Sequence, residues 1–175
     1  ASSRQCLVPV VSNTEIDCAG ILLERLANAF TALGARTLVV DAAENAPLPS
    51  ELIDIDLPAS IEKLSPTTAY LAARGVPRRH VDARGSSEGW LWQVEAAAPW
   101  ADVVLVHAEA RDMARLLGQR EVHPVLLASL APASLTAAYA AMKLLSQRCG
   151  LMSFDLLVGV AGGPHCLGMC AAPCT

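Results

Sequence analysis

Residues 12–20, SNTEIDCAG, connect an apolar stretch to a helical pattern, and their side chains decide what this connector could bind. A phosphate-binding connector needs glycines that let backbone N–H groups wrap the anion, a lysine against the phosphate oxygens and a hydroxyl that holds Mg²⁺. This connector has no lysine or arginine, and Glu15 and Asp17 add negative charge. At an effective dielectric of about 20, each carboxylate near a phosphate opposes binding by several kcal/mol. The connector therefore contains nothing that would hold a nucleotide by the usual means.

Other residues with chemical potential follow apolar stretches further along the chain. Asp41 ends the stretch 37–40, and His107 and His123 lie beside apolar residues at the ends of two more. A hydrogen-bonded structural histidine is the favoured interpretation of both histidines. Ser134, His107 and Asp41 are the residue types of a hydrolytic triad, but no nucleophile elbow surrounds Ser134, so we reject that reading.

The last fifteen residues are rich in Gly, Pro and Cys. Cys166, Cys170 and Cys174 follow His165 at intervals of four, and these are ligand types for zinc or an iron–sulfur cluster. The spacing matches no zinc or ferredoxin pattern closely, so incidental tail thiols are the favoured interpretation and a metal site is the alternative. Cys6, Cys18 and Cys149 are scattered, which we interpret as typical of a reducing cytoplasm rather than a disulfide scaffold.

The elements that would position these residues follow an α/β rhythm. The pattern predicts strands over 6–11, 37–40, 102–106, 125–128 and 154–160, and helices over 22–33, 88–98, 109–117 and 134–149, with short helices over 60–64 and 67–74. We expect Gly34 to follow the end of the first helix, Asp41 to end the second strand and Ser134 to cap the last helix. A mostly parallel sheet covered by helices follows.

Composition limits the function classes. The 175 residues are enough for one domain, which we place at 1–160 with a tail at 161–175, and the net charge is −4. This net charge argues weakly against a nucleic-acid surface, because no basic cluster stands out beyond Arg78-Arg79. No apolar run approaches the roughly 20 residues of a membrane span, and we expect neither a signal peptide nor a direct membrane anchor. Trp90, Trp92 and Trp100 could form a partner surface, but core packing is favoured. Trp90 and Trp92 cannot share one helix face fully.

Two stretches carry a resemblance to a known family. Residues 10–42 form a strand, connector, helix and strand ending in Val40-Asp41-Ala42, and residues 131–143 read APASLTAAYAAMK. They resemble the MinD/ParA-type ATPases, and within them the FlhG-type flagellar-number regulators, whose helix reads Pro-x-Ser-x-x-Asp-Ala-Tyr-x-x-x-Lys. In this chain Ala137 stands where that family's Asp is usual.

The resemblance implies a single-domain fold of the MinD/SIMIBI P-loop NTPase type with a degenerate P-loop. By that alignment the family's signature lysine falls on Thr14, its P-loop lysine on Ala19 and its Mg²⁺-binding hydroxyl on Gly20. Asn13, Glu15 and Asp17 fill other loop positions. Asp41 is the one retained acidic position, and His107 stands where a switch Asp is usual.

We therefore expect a cytoplasmic pseudo-ATPase that binds no cofactor and acts on protein partners, or as a homodimer, in flagellar placement or another spatial process. Two alternatives stay open. One is a divergent ATPase that binds ATP and Mg²⁺ through Asp41 and backbone groups of the connector. The other is a metal-binding module built on the three tail cysteines.

Overall fold

In a computed structural model, residues 4–159 are described. Alternating strands and helices give thirteen elements. They are β1 (Cys6–Val11), α1 (Ala19–Ala32), β2 (Thr37–Asp41), α2 (Leu57–Ser60), β3 (Glu62–Lys63), β4 (Thr68–Ala72), α3 (Val76–Arg79), α4 (Glu88–Ala97), β5 (Val103–Ala108), α5 (Ala110–Leu117), β6 (Val125–Ser129), α6 (Pro132–Cys149) and β7 (Asp155–Gly159).

The strands form one seven-stranded sheet in the order β3-β4-β2-β5-β1-β6-β7, and only the short β3 runs antiparallel. This confirms the predicted α/β class with a mainly parallel sheet. Helix α1 covers one face, where Leu22 and Leu23 pack on Val39 and Leu105. Helices α4, α5 and α6 cover the other face.

The strand order creates a crevice at one place on the sheet edge. Strands β1 and β5 are neighbours, yet the chain leaves β1 towards β2 on one side and leaves β5 towards β6 on the other. Such a reversal opens a crevice at the carboxyl ends of the two strands, where α/β proteins bind ligands. The connector 12–18 lies at this point.

Helix α1 confirms the expected ending. Gly34 has φ +83°, its N–H donates to Thr31 O (2.9 Å), and Ala35 N–H donates to Phe30 O (3.0 Å). These two bonds form a Schellman motif, in which a left-handed residue after the helix satisfies its last carbonyls.

The predicted helices over 60–64 and 67–74 are wrong. Residues 57–60 form the one-turn α2, while β3 and β4 form a hairpin whose second strand lies beside β2. Ala, Leu and Arg gave this segment a helical composition, but Ala69 and Leu71 alternate with less buried neighbours, as a strand requires. Burial against the core therefore overrides local propensity.

The last helix also begins earlier than expected. Ala131 is its N-cap and Pro132 its first residue, so Ser134 does not cap it. Proline suits this position, because its missing N–H would have no partner in a first helical turn. The predicted strand 102–106 extends through His107 and Ala108.

Candidate functional site

The connector 12–18, called loop 12–18 below, follows the carboxyl end of β1 and is tied to the core by Asn13. The Asn13 side chain is buried, and its Nδ2 donates to Leu127 O (3.0 Å) and Ser134 O (2.9 Å). Its Oδ1 accepts from Glu15 N–H (3.0 Å). Asn13 therefore joins the loop to β6 and to the start of α6.

Ser134 completes this anchor. Its Oγ lies 3.1 Å from Asn13 Nδ2 and accepts from Ser129 N–H at 2.8 Å. The hydroxyl is fully buried and committed to these partners. This geometry gives Ser134 a structural role and agrees with the rejection of a hydrolytic triad.

Ile16 directs an apolar side chain from the loop into the core. It is 9% exposed and packs with Val10, Leu22 and Leu23. Its N–H donates to Asn13 O at 3.1 Å. With the bond from Glu15 N–H to Asn13 Oδ1, two of the loop's amides are used within the loop.

The backbone of the loop lacks the conformation of a phosphate cradle. Such cradles alternate right- and left-handed residues, so that successive N–H groups converge on one point. The described residues with positive φ are all glycines, and none of them lies within 12–20. A Cβ added to Gly20 would meet nothing within 4 Å, so no close backbone approach requires a glycine there.

The exposed side chains of the loop complete the site. Thr14, Glu15, Asp17 and Gly20 face solvent, and Ala19 is buried at the start of α1. Residues 12–20 contain two carboxylates, Glu15 and Asp17, and no cationic side chain.

A second polar group, formed by Asp41, Tyr70 and His107, lies on the α1 face of the sheet. His107 Nδ1 is 2.9 Å from Asp41 Oδ1, and the Tyr70 hydroxyl donates to Asp41 Oδ2 at 2.8 Å. The strand register brings the two side chains together, because Asp41 of β2 is paired with His107 of β5. The prediction that Asp41 ends the second strand is confirmed, as is the hydrogen-bonded role of His107.

Two pKa shifts follow from this cluster. Burial raises the pKa of Asp41, but the contacts with His107 and Tyr70 and the Ala43 N–H outweigh it, so the pKa lies below its ordinary value. Burial first, and then the Asp41 carboxylate, raise the pKa of the Tyr70 phenol. Asp41 is thus an ionised acceptor whose oxygens are already engaged.

His107 retains one unengaged atom. Its side chain is 2% exposed, and Nε2 has no hydrogen-bond partner among residues 4–159. Sequence reasoning missed the cluster because Tyr70 fell in a segment expected to be helical. The β-favouring residues Thr67, Thr68 and Tyr70 were the local signal for a strand there.

The structure does not test the prediction of a metal site in the tail. Cys166, Cys170 and Cys174 lie outside the described residues, and within 4–159 no three His, Cys, Asp or Glu side chains are grouped as metal ligands would be. Of the described cysteines, Cys6 and Cys149 are free and Cys18 is disulfide-bonded, so the expectation of unpaired thiols fails at Cys18.

The basic cluster is engaged in ion pairs. Arg78 contacts Glu44 (2.9 Å) and the buried Asp112 (3.1 Å), and Arg79 lies 3.6 Å from Asp54. Its charge is therefore largely balanced. Within residues 4–159, none of the helices combines the length and apolarity that crossing a membrane requires.

Solved structures of low sequence identity share this architecture. A plasmid partition protein from Borrelia burgdorferi matches with a TM-score of 0.68 and 6% identity, over 90% of this chain and 79% of that one. A ParA family ATPase from Chlorobium tepidum matches with a TM-score of 0.64 and 16% identity, over 93% and 76%. The chain has the MinD/ParA-type fold. The MinC:MinD cell division protein complex of Aquifex aeolicus also matches, with a TM-score of 0.64 and 12% identity, over 87% and 68%.

No family model matches the chain, and no curated protein matches it in sequence. The MinD/ParA-type fold is therefore assigned from the three-dimensional architecture and not from sequence similarity. It confirms the fold that the resemblance implied. It places loop 12–18 at the sheet's switch point and the Asp41 cluster at the ends of β2 and β5.

Proposed function

We propose that the chain is a non-catalytic protein of the MinD/ParA-type fold, which acts by binding protein partners rather than by hydrolysing ATP. The observation that carries the proposal is the backbone of loop 12–18. The loop has no residue with positive φ, and Asn13 and Ile16 hold it against the core.

Opening this loop for a triphosphate would be costly. It would withdraw the Ile16 side chain from the core, where burial contributes about 1.5–3 kcal/mol. It would also break the buried bonds of Asn13, whose net contributions are about 1 kcal/mol each. Each 1.4 kcal/mol of such cost lowers apparent affinity about tenfold. Glu15 and Asp17 would oppose the anion further.

Two observations support a protein partner. The similar MinD structure from Aquifex aeolicus is in complex with MinC. The resemblance of residues 131–143 to FlhG-type regulators favours a role in flagellar placement or a related spatial process in a bacterium. Because ATP would not gate assembly in this proposal, a complex or homodimer forms without nucleotide.

A divergent ATPase is the second candidate, and the Asp41 cluster is the observation that favours it. Asp41 is held ionised at a strand end beside the switch point, and His107 has a buried Nε2 without a partner in the described chain. An Mg²⁺-bound nucleotide could use such a carboxylate, with the N-terminus of α1 attracting the phosphates.

Thermal unfolding with and without 5 mM Mg-ATP or Mg-ADP tests the proposal. Nucleotide at a hundred times its Kd stabilises a protein by about 2.7 kcal/mol. For a domain of this size that raises Tm by roughly 5–11 °C. We expect no shift with either nucleotide.

The variant Asp41→Asn separates the two candidates. A rise in Tm that Asp41→Asn abolishes, while the exposed control Glu121→Gln preserves it, would show nucleotide binding at the Asp41 cluster and favour the divergent ATPase. Magnesium chloride and ATP tested separately show whether either component alone changes the protein.

A further inference from the structure

A cleft of about 380 Å³ opens at the N-terminal edge of the sheet. Arg36 before β2, Thr68 at the start of β4 and Trp100 before β5 contribute to its walls, so it lies at the opposite edge from loop 12–18. Its volume falls within the roughly 300–1,000 Å³ of small-molecule sites.

The cleft has an apolar interior. Ala69 is buried, and Ile61 and Trp100 are partly buried and pack on the core below α4. Pro58 and Ala97 add further apolar surface. A ligand seated here would place an apolar body against an indole ring and a branched side chain.

The cleft has an excess positive charge of about one. Its ten lining residues include the cations Arg36 and Lys63 and no carboxylate, but Asp102 beside the cleft offsets the charge of Arg36. Arg36 is fixed by Asp102, with Nε 3.2 Å from Oδ2 and Nη2 3.2 Å from Oδ1. Its Nη1 makes no hydrogen bond within residues 4–159.

Lys63 supplies a cation without a described partner. In the β3–β4 hairpin Lys63 pairs with Ala69, whereas Glu62 pairs with Tyr70. Alternate residues of a strand face opposite sides, so Lys63 shares the cleft side with Ala69 and Glu62 points away. No ion pair joins Lys63 to any residue of the described chain.

We propose that this cleft binds a small carboxylate with an aromatic or branched apolar body. The carboxylate contacts Lys63 and the open Nη1 of Arg36, and the apolar body packs between Ile61 and Trp100. Neither loop 12–18 nor the Asp41 cluster takes part, so failure of this proposal would leave the proposed function untouched, and the reverse also holds.

A titration of ¹⁵N-labelled protein with 2-naphthoate tests the site by NMR. The chain has three tryptophans, Trp90, Trp92 and Trp100, whose indole N–H signals can be assigned with single Trp→Phe variants. We expect a saturable shift of the Trp100 signal and smaller changes at Trp90 and Trp92. A shift centred on Trp92, or none at millimolar naphthoate, would overturn the proposal.

A charge cycle then tests the role of Lys63. Because an exposed ion pair is worth up to about fivefold in affinity, Lys63→Met should weaken naphthoate binding by about that factor. The neutral analogue 2-naphthylmethanol should bind more weakly to the wild type and equally to both forms. Glu62→Gln, the neighbour on the opposite face, should bind naphthoate like the wild type. Equal binding of acid and alcohol, or equal effects of the two variants, would contradict the assignment.

Discussion

Asn13 shows how one side chain can close a ligand site. Its side-chain amide has two N–H donors and one oxygen acceptor. The donors bond to Leu127 O and Ser134 O, and the oxygen accepts from Glu15 N–H. Aspartate could accept from Glu15 N–H but would turn a carboxylate oxygen towards two carbonyls. The closed loop therefore depends on the amide, and the absence of lysine explains only part of it.

The variant Asn13→Ala should lower the free energy of unfolding by about 1–3 kcal/mol. The change leaves the buried acceptors Leu127 O and Ser134 O without the Asn13 donor. Urea denaturation measures the loss. The exposed neighbour Thr14→Ala is the control and should stay within about 0.5 kcal/mol of wild type. Equal losses in both variants would show that Asn13 does not anchor the loop.

Asp41 predicts a specific dependence of stability on pH. Its folded-state pKa lies below the unfolded value of about 4, so the unfolded chain binds the proton more readily. The resulting stabilisation is complete above pH 4 and is lost as the pH falls through the folded pKa.

The wild type should therefore lose stability more steeply than Asp41→Asn as the pH falls below about 4, as measured by denaturation at a series of pH values. The control Glu15→Gln, which removes an exposed carboxylate of the loop, should keep the wild-type steepness. Parallel curves for wild type and Asp41→Asn would contradict the described cluster.

At the scale of the element, helix α4 separates two tryptophans by face. Trp90 is 4% exposed within the core, whereas Trp92 is 57% exposed under the Arg120 guanidinium, whose carbon lies 3.7 Å from the ring centroid. The expectation that the two cannot share one face is confirmed. The core reading holds for Trp90 and fails for Trp92.

Truncating these two tryptophans should therefore have unequal effects. Trp90→Ala should cost about 3–5 kcal/mol through the cavity that it leaves. Trp92→Ala should cost about 1 kcal/mol, chiefly the cation–π contact with Arg120. Chemical denaturation compares them, with Trp90→Phe as a milder core change. A larger loss at Trp92 than at Trp90 would contradict the burial described here.

At the scale of the whole molecule, the sequence predicted the secondary-structure elements better than the contacts between them. The β1–α1–β2 unit, Gly34 and Asp41 were readable because apolar periodicity and a C-terminal glycine are local signals. The hairpin β3–β4 was not, because its Ala- and Leu-rich composition favours a helix until burial is known. The partners of Asn13 lie 114 and 121 residues away, and no local pattern reports such distances.

Without an ATP switch, the oligomeric state of the molecule should not depend on nucleotide. Light scattering after size-exclusion chromatography should give one molar mass at a fixed protein concentration, with or without Mg-ATP. A change from monomer to dimer on adding the nucleotide would show that a nucleotide gate remains.

Calorimetric titration of Mg-ATP into the protein tests the central claim most directly, because it measures binding whether or not the nucleotide is hydrolysed. The closed loop 12–18 predicts no saturable heat at millimolar nucleotide. One site per chain with a Kd below about 100 µM, a binding free energy beyond about −5.5 kcal/mol, would contradict the account.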